Sequence, residues 1–259
     1  MHIDVQHVNW FSTYRVHHRV ADHFRKGRAF LLGDAAHIHS PVGGQGMNTG
    51  IGDAVNLAWK LAAVLHGHAD APILDSYEPE RIAFARRLVA TTDRAFTGVT
   101  SPSAMARLVR LHIVPLLVAP LFALKTVRNL IFRTVSQTMV NYRGSSLSEG
   151  RAGTVHGGDR LPWVKADWTG GEDNFASLTS LDWQVHIYGD AAPQLQAVCD
   201  ERNLPLHIFP WHPEMSRADL RRDAVYLIRP DGYVALAAPA GSATAITAYL
   251  DARKLTPAK

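Results

Sequence analysis

Apolar positions along the chain repeat with two different periods. Between residues 51 and 65 they fall at Ile51, Ala54, Val55, Ala58, Leu61, Ala62 and Leu65, a single stripe on a 3.6-residue helix. The pattern predicts an amphipathic helix with that stripe turned to the core. Asp53 would sit in its first turn, Lys60 and His66 near its end, and Gly67 at its stop. Trp59 lies off the stripe and is expected to meet a second element. Helical spacing resumes from about 76 to 94, with Pro79 in the first turn, and again from about 103 to 142. Within the latter, 113–124 is apolar throughout but carries Pro115 and Pro120 between Arg110, His112 and Lys125. A bilayer span needs about 20 apolar residues, so a core-facing helix pair or a cover over a substrate pocket is expected.

Period-two segments predict strands. Residues 2–19 alternate loosely, with Ile3, Val5, His7 and Asn9 followed by Phe11, Thr13, Arg15 and His17, as in a strand entering a sheet. Ala29, Phe30, Leu31 and Leu32 read as a short buried strand. Residues 143–160 are rich in Gly, Ser and charge and read as a linker. Beyond it the expected order is strand 183–188, helix 193–202, strand 206–209, a hairpin around Pro230-Asp231-Gly232, and helix 242–253.

Composition narrows the function classes. The 259 residues, 47% hydrophobic, suit one large or two medium globular domains. Cys199 is the only cysteine, which excludes an internal disulfide and fits a reducing, cytoplasmic setting. Met1, His2, Ile3 and Asp4 lack a signal-peptide profile. A net charge of +4 is mild, and pairs such as Arg86-Arg87 and Arg221-Arg222 are too small for a nucleic-acid stripe. His37 and His39 have no acidic or cysteine partners at ligand spacing, so no metal site is expected.

The chemistry concentrates in residues 33–50. A strand ending in Gly33-Asp34 leads to a loop with Gly43, Gly44 and Gly46 and then to a helix start. Glycines let backbone approach a ligand closely, and a helix N-terminus adds partial positive charge. The wording is more specific than the physics: Gly33-Asp34-Ala35-Ala36-His37, then Pro41-Val42-Gly43-Gly44-Gln45-Gly46-Met47-Asn48-Thr49-Gly50, then Asp53-Ala54-Val55-Asn56-Leu57-Ala58-Trp59-Lys60-Leu61. With Leu74-Asp75, Tyr77-Glu78 and Glu80-Arg81, these words resemble group A FAD-dependent aromatic hydroxylases. Those are the para-hydroxybenzoate hydroxylase-like enzymes, in the branch of hydroxyphenylpropionate, polyketide and pentachlorophenol hydroxylases.

The resemblance implies roles. Asp34 would hold a ribityl hydroxyl of FAD, and Gly46, Met47 and Asn48 would offer N–H groups to the pyrimidine edge of the flavin. The backbone of Pro41, Val42 and Gly43 would line the place where oxygen meets flavin and substrate, with Trp10 and Tyr14 near an aromatic pocket. No catalytic base can be nominated. The family's Gly-x-Gly-x-x-Gly unit for the ADP half of FAD is missing from all 259 residues, so the chain reads as the C-terminal part of a longer hydroxylase. Its phrase Arg229-Pro230-Asp231-Gly232-Tyr233-Val234 resembles the thioredoxin-like C-terminal domain of that branch, without Cys-x-x-Cys.

The fold class implied is α/β (α+β), with part of an FAD-binding and substrate domain over 1–142, a linker over 143–160 and a thioredoxin-like domain over 161–259. The function implied is hydroxylation of a small phenolic or aromatic substrate with NAD(P)H and O2 through a flavin hydroperoxide. No nucleic acid or membrane partner is expected, and a homodimer is compatible. The alternative is an inactive packing or oligomerisation module lacking the ADP-binding unit.

Overall fold

The computed structural model describes residues 6–13, 17–39, 44–165, 173–240 and 242–257, with the side chains of 92–95 and 99 set aside. Four two-residue strands come first: β1 (Arg19–Val20), β2 (Arg25–Lys26), β3 (Ala29–Phe30) and β4 (His37–Ile38). β1 pairs antiparallel with β4, and β2 with β3. Residues 6–13 form no strand, contrary to the alternating pattern, and Trp10 and Phe11 are exposed. Alternation makes a strand only where a neighbouring strand takes up the backbone groups. Tyr14 lies outside the described residues. The run at 29–32 is shorter and wetter than expected, with Leu31 and Leu32 exposed, because β3 belongs to a ribbon rather than a sheet interior.

Two long helices follow, α1 (Gly46–Leu65) and α2 (Tyr77–Thr100), joined through a 3-10 turn at Ala71–Ser76. α1 stops at Gly67, whose φ of +75° suits the left-handed stop that its sequence announced. Its amphipathic sense is the reverse of the expected one. The buried stripe is Thr49, Asp53, Asn56, Leu57 and Lys60, while Ile51, Val55 and Leu65 are exposed. Asp53 therefore lies beyond the first turn and inside the protein, not at the helix start. The polar stripe is buried because its members find partners on α2 and in the C-terminal half.

Next come α3 (Ala104–Leu108), a π turn (Val109–Ile113), α4 (Val114–Ala123) and α5 (Lys125–Val135). The first three run together as a helix over Ala104–Ala123, long and apolar enough to cross a membrane by length and composition, with none of the apolar window buried. This corrects the expectation of a core-facing pair. The apolar stretch is longer than 113–124 suggested, and among the described residues nothing covers it.

The C-terminal half is built on β5 (Glu149–Ala152), β6 (Val155–His156), β7 (Gln184–Tyr188), α6 (Pro193–Glu201), β8 (Leu206–Phe209), α7 (Pro213–Arg217), β9 (Val225–Ile228), β10 (Val234–Ala238) and α8 (Ala243–Ala252). The six strands form one sheet in the order β6-β5-β10-β9-β7-β8. Its β10-β9-β7-β8 portion, with β7 parallel to β8 and antiparallel pairs elsewhere, has thioredoxin-like strand order. Every residue of β7, β9 and β10 is buried. Pro230-Asp231-Gly232 turns the β9–β10 hairpin, with Gly232 N–H donating to Arg229 O at 2.9 Å.

The stretch 143–160 is not a bare linker. It supplies β5, which runs parallel to β10 through Leu236↔Glu149 and Ala237↔Gly150, and β6 beside it. Its glycines serve close packing: a Cβ on Gly158, at φ +91°, would fall 2.4 Å from the carbonyl carbon of Tyr142. A single apolar cluster then runs from Phe24, Leu57 and Tyr77 through Leu147 to Val185, Leu227 and Ile246, so the two halves share one core.

Candidate flavin site

Gly33 and Asp34 open a 3-10 turn, Gly33–Ala35, between β3 and β4. Gly33 has φ +56°, a left-handed conformation that glycine adopts without a Cβ penalty. The turn lies against the start of α1: a Cβ on Gly50 would be 3.4 Å from the Gly33 Cα. Asp34 is on the outer, exposed side of this turn. Gly44 is exposed with φ +62°. Gly46, Met47 and Asn48 form the first turn of α1, Met47 and Asn48 exposed. Their N–H groups precede the helical bond from Thr49 N–H to Gln45 O, and Gln45 gives no side-chain cap. An exposed carboxylate thus follows a glycine that packs against the first turns of α1, whose Met47 and Asn48 are also exposed. Pro41 and Gly43 lie outside the described residues.

The turn is anchored from behind by a buried cluster. Asp53 Oδ2 accepts the Gly33 N–H at 3.0 Å and lies 2.7 Å from His37 Nε2. Asp53 Oδ1 accepts from Arg81 Nε at 2.6 Å. Arg81 also donates to Thr49 O at 3.1 Å and to the Tyr142 hydroxyl at 2.9 Å. Burial pushes the Asp53 carboxyl up, but the His37 bond, the Arg81 charge and the Gly33 N–H outweigh it and leave it below its ordinary value. Gly52 makes room for Arg81, since a Cβ there would lie 3.1 Å from its Nη2.

A second cluster centres on the residue just before Arg81 on α2. Glu80 takes two bonds from Arg229, at 2.8 and 3.0 Å, and one each from Lys60 at 2.7 Å, Asn56 at 2.7 Å and Ser145 at 2.6 Å. Asp231 accepts from Arg229 at 2.6 Å and from Trp59 Nε1 at 3.1 Å. The Arg229 guanidinium lies over the rings of Trp59, Tyr142 and Tyr233. Burial raises the Glu80 carboxyl, yet Arg229 and Lys60 hold it far below the carboxylate range. Burial draws the Lys60 ammonium down to about 8 against the pull of Glu80. Two cations face two carboxylates, the balance a water-poor interior requires. Trp59 meets a second element as its position off the stripe implied, packing edge-on against Trp183.

The sequence places Gly33, Asp34, Gly46, Met47 and Asn48 in one motif, and the buried cluster behind them was not foreseen. Asp53, Arg81, His37, Glu80 and Arg229 all fall within its motif words, but none was given a structural partner. The available signal was the polar stripe Thr49, Asp53, Asn56 and Lys60, which repeats at helical spacing as the apolar one does. An apolar groove of about 460 Å³ between α1 and the C-terminal half, lined by Val55, Trp59 and Trp183, is lined by none of the flavin-turn residues. Cys199 is buried, and burial together with Asp200 pushes its thiol up to about 11.

Fold and site together place a glycine-rich turn and the start of a long helix beside a mixed six-stranded sheet, in one continuous core. Residues 2–92 match the FAD binding domain family, and the chain is similar to proteins named as monooxygenases. It is 33% identical to 6-methylpretetramide 4-monooxygenase of Streptomyces rimosus, over 98% of this chain and 49% of that protein. It is 47% identical to pentachlorophenol 4-monooxygenase of Sphingobium chlorophenolicum, over 35% of this chain and 17% of that protein. The anhydrotetracycline hydroxylase OxyS of Streptomyces rimosus superposes with a TM-score of 0.69 at 29% identity, over 92% of this chain and 46% of that one. The chain spans about half the length of the first of these relatives.

Proposed function

We propose that this chain forms the flavin-turn portion and C-terminal domain of an FAD-dependent monooxygenase that hydroxylates a phenolic or aromatic substrate with NAD(P)H and O2. The observation that carries the reading is the Gly33-Asp34 turn set against the N-terminus of α1. FAD, when bound, supplies the redox and oxygen chemistry. The chain's own residues bind and orient it. Asp34 accepts a hydrogen bond from a ribityl hydroxyl, and a charged acceptor makes that bond stronger than a neutral one. The N–H groups of Gly46, Met47 and Asn48, reinforced by the helix dipole, favour negative charge at the pyrimidine edge. Pro41 and Gly43 keep their assignment to the oxygen-facing side. The exposed apolar faces of α1 and of Ala104–Ala123 fit surfaces that the remaining half of such an enzyme would cover.

Titration with riboflavin tests the reading, since riboflavin carries the isoalloxazine and ribityl groups without the ADP half. Saturable quenching of its fluorescence and a shifted visible band are expected. Absence of both would leave the packing module as the better account.

A further inference from the structure

The turn that presents Asp34 is closed by a single carboxylate oxygen. Asp53 Oδ2 accepts from Gly33 N–H at 3.0 Å and meets His37 Nε2 at 2.7 Å. Gly33 begins the turn and His37 follows it, so one atom ties both ends of the segment whose outer residue is Asp34. The other oxygen, Oδ1, is taken by Arg81 at 2.6 Å, and Arg81 is in turn fixed to Thr49 O and Tyr142. Asp53, His37 and Arg81 are at most 3% exposed, so water cannot substitute for any of these bonds.

We infer that Asp53 is a positioning residue for flavin, acting through the backbone of Gly33 and the ring of His37 to hold Asp34 in register with the N-terminus of α1. The inference rests on the flavin-site reading above. Chemistry sharpens it. An asparagine at 53 has one acceptor oxygen and one NH2 group. Facing the charged Arg81 with its oxygen, it turns its NH2 toward the Gly33 N–H, donor against donor, and gives up the carboxylate contact with His37 Nε2. Asp53→Asn thus keeps the volume and the Arg81 contact while releasing the turn. Lys60→Met makes the contrast, because Lys60 touches Asn56 and Glu80 and neither end of the turn.

The test is riboflavin titration of the full chain, read by fluorescence quenching and by the position of the visible band, with a thermal melt of each variant. Asp53→Asn is expected to lose about tenfold or more in affinity, the share of one charge-assisted hydrogen bond, and to move the band toward that of free riboflavin. Lys60→Met should lower the melting temperature while leaving both flavin readouts at wild-type values. Wild-type affinity and spectrum in Asp53→Asn would overturn the inference. So would equal losses in Lys60→Met, which would mark a global stability effect. Should Asp53→Asn not fold, His37→Leu frees one end of the turn and keeps the Arg81 pair. A loss of about threefold there supports the inference, and none overturns it. A wild-type chain that binds no riboflavin would instead fail the flavin-site reading, and this inference with it.

Discussion

Glu80 on α2 and Arg229 at the end of β9 are 149 residues apart and make a two-point ion pair in which both side chains are buried. The pair joins the N-terminal half to the C-terminal sheet, and the Arg229 guanidinium lies near aromatic rings from both, Trp59 and Tyr233. Removing one partner strands the other in a water-poor interior. Arg229→Met is therefore expected to cost about 3–5 kcal/mol, the range for breaking a buried pair. Urea unfolding of wild type and variant measures it, and a loss under about 1 kcal/mol, as for a surface pair, would contradict the assignment.

Asp34 should report on flavin alone. It is exposed, so Asp34→Ala has little to disturb in the fold. It is expected to weaken riboflavin binding by about 1.5–3 kcal/mol, roughly ten- to hundredfold, with an unchanged melting temperature. An unaltered dissociation constant would remove Asp34 from the site.

FAD should gain little over riboflavin on this chain. The Gly-x-Gly-x-x-Gly turn that seats the pyrophosphate on a helix N-terminus is missing from the 259 residues. Affinities within about tenfold of each other are expected, so FAD should be lost on gel filtration. Stoichiometric FAD surviving the column would show that other residues here hold the ADP half.

The C-terminal half was legible because its strands are apolar runs bounded by turn chemistry, as at Val225–Ile228 before Pro230-Asp231-Gly232. The turn at Gly33–Ala35 was legible because a glycine at a left-handed position has a local cause. α1 was read inside out, because a binary pattern treats Asp53, Asn56 and Lys60 as solvent-facing. Their partners, Arg81, Glu80 and Arg229, become neighbours only once the chain has folded. Residues 143–160 were misread for the opposite reason: their glycines look like flexibility in one dimension and are close packing in three.

His186 makes stability pH-dependent. It lies fully buried in β7, and burial, with His207 adding to it, draws its imidazole down to about 3. An unfolded histidine titrates near 6.5. Its folded value is depressed, so its contribution is complete above the unfolded value and is lost as pH falls toward 3. Stability should drop by about 1.4 kcal/mol per pH unit once pH is well below 6.5, before the carboxylates begin to titrate. Melting temperatures from pH 7.5 to 4.5 check this, and a flat profile over that range would mean that His186 is hydrated or charged in the folded protein.

A chain beginning at Gly158 retains the expected thioredoxin-like order but loses β5 and β6. β10 would then become an edge, although all five of its residues are buried and its Leu236 and Ala237 pair with β5. Such an edge is an invitation to association rather than a stable boundary. Tyr142 N–H, which donates to Gly158 O at 2.7 Å, would go as well, and with it the ring that packs tilted against Tyr233 at 4.3 Å. Residues 158–259 are therefore expected to aggregate or to melt without cooperativity. A chain beginning at Gln137 keeps β5, β6 and Tyr142, and Arg229 keeps Asp231, though not Glu80. It should melt cooperatively but below the full chain. Circular dichroism melts of the two fragments decide the matter, and a cooperative transition in 158–259 equal to that in 137–259 would show that β5 and β6 are dispensable and that the boundary belongs near Gly158.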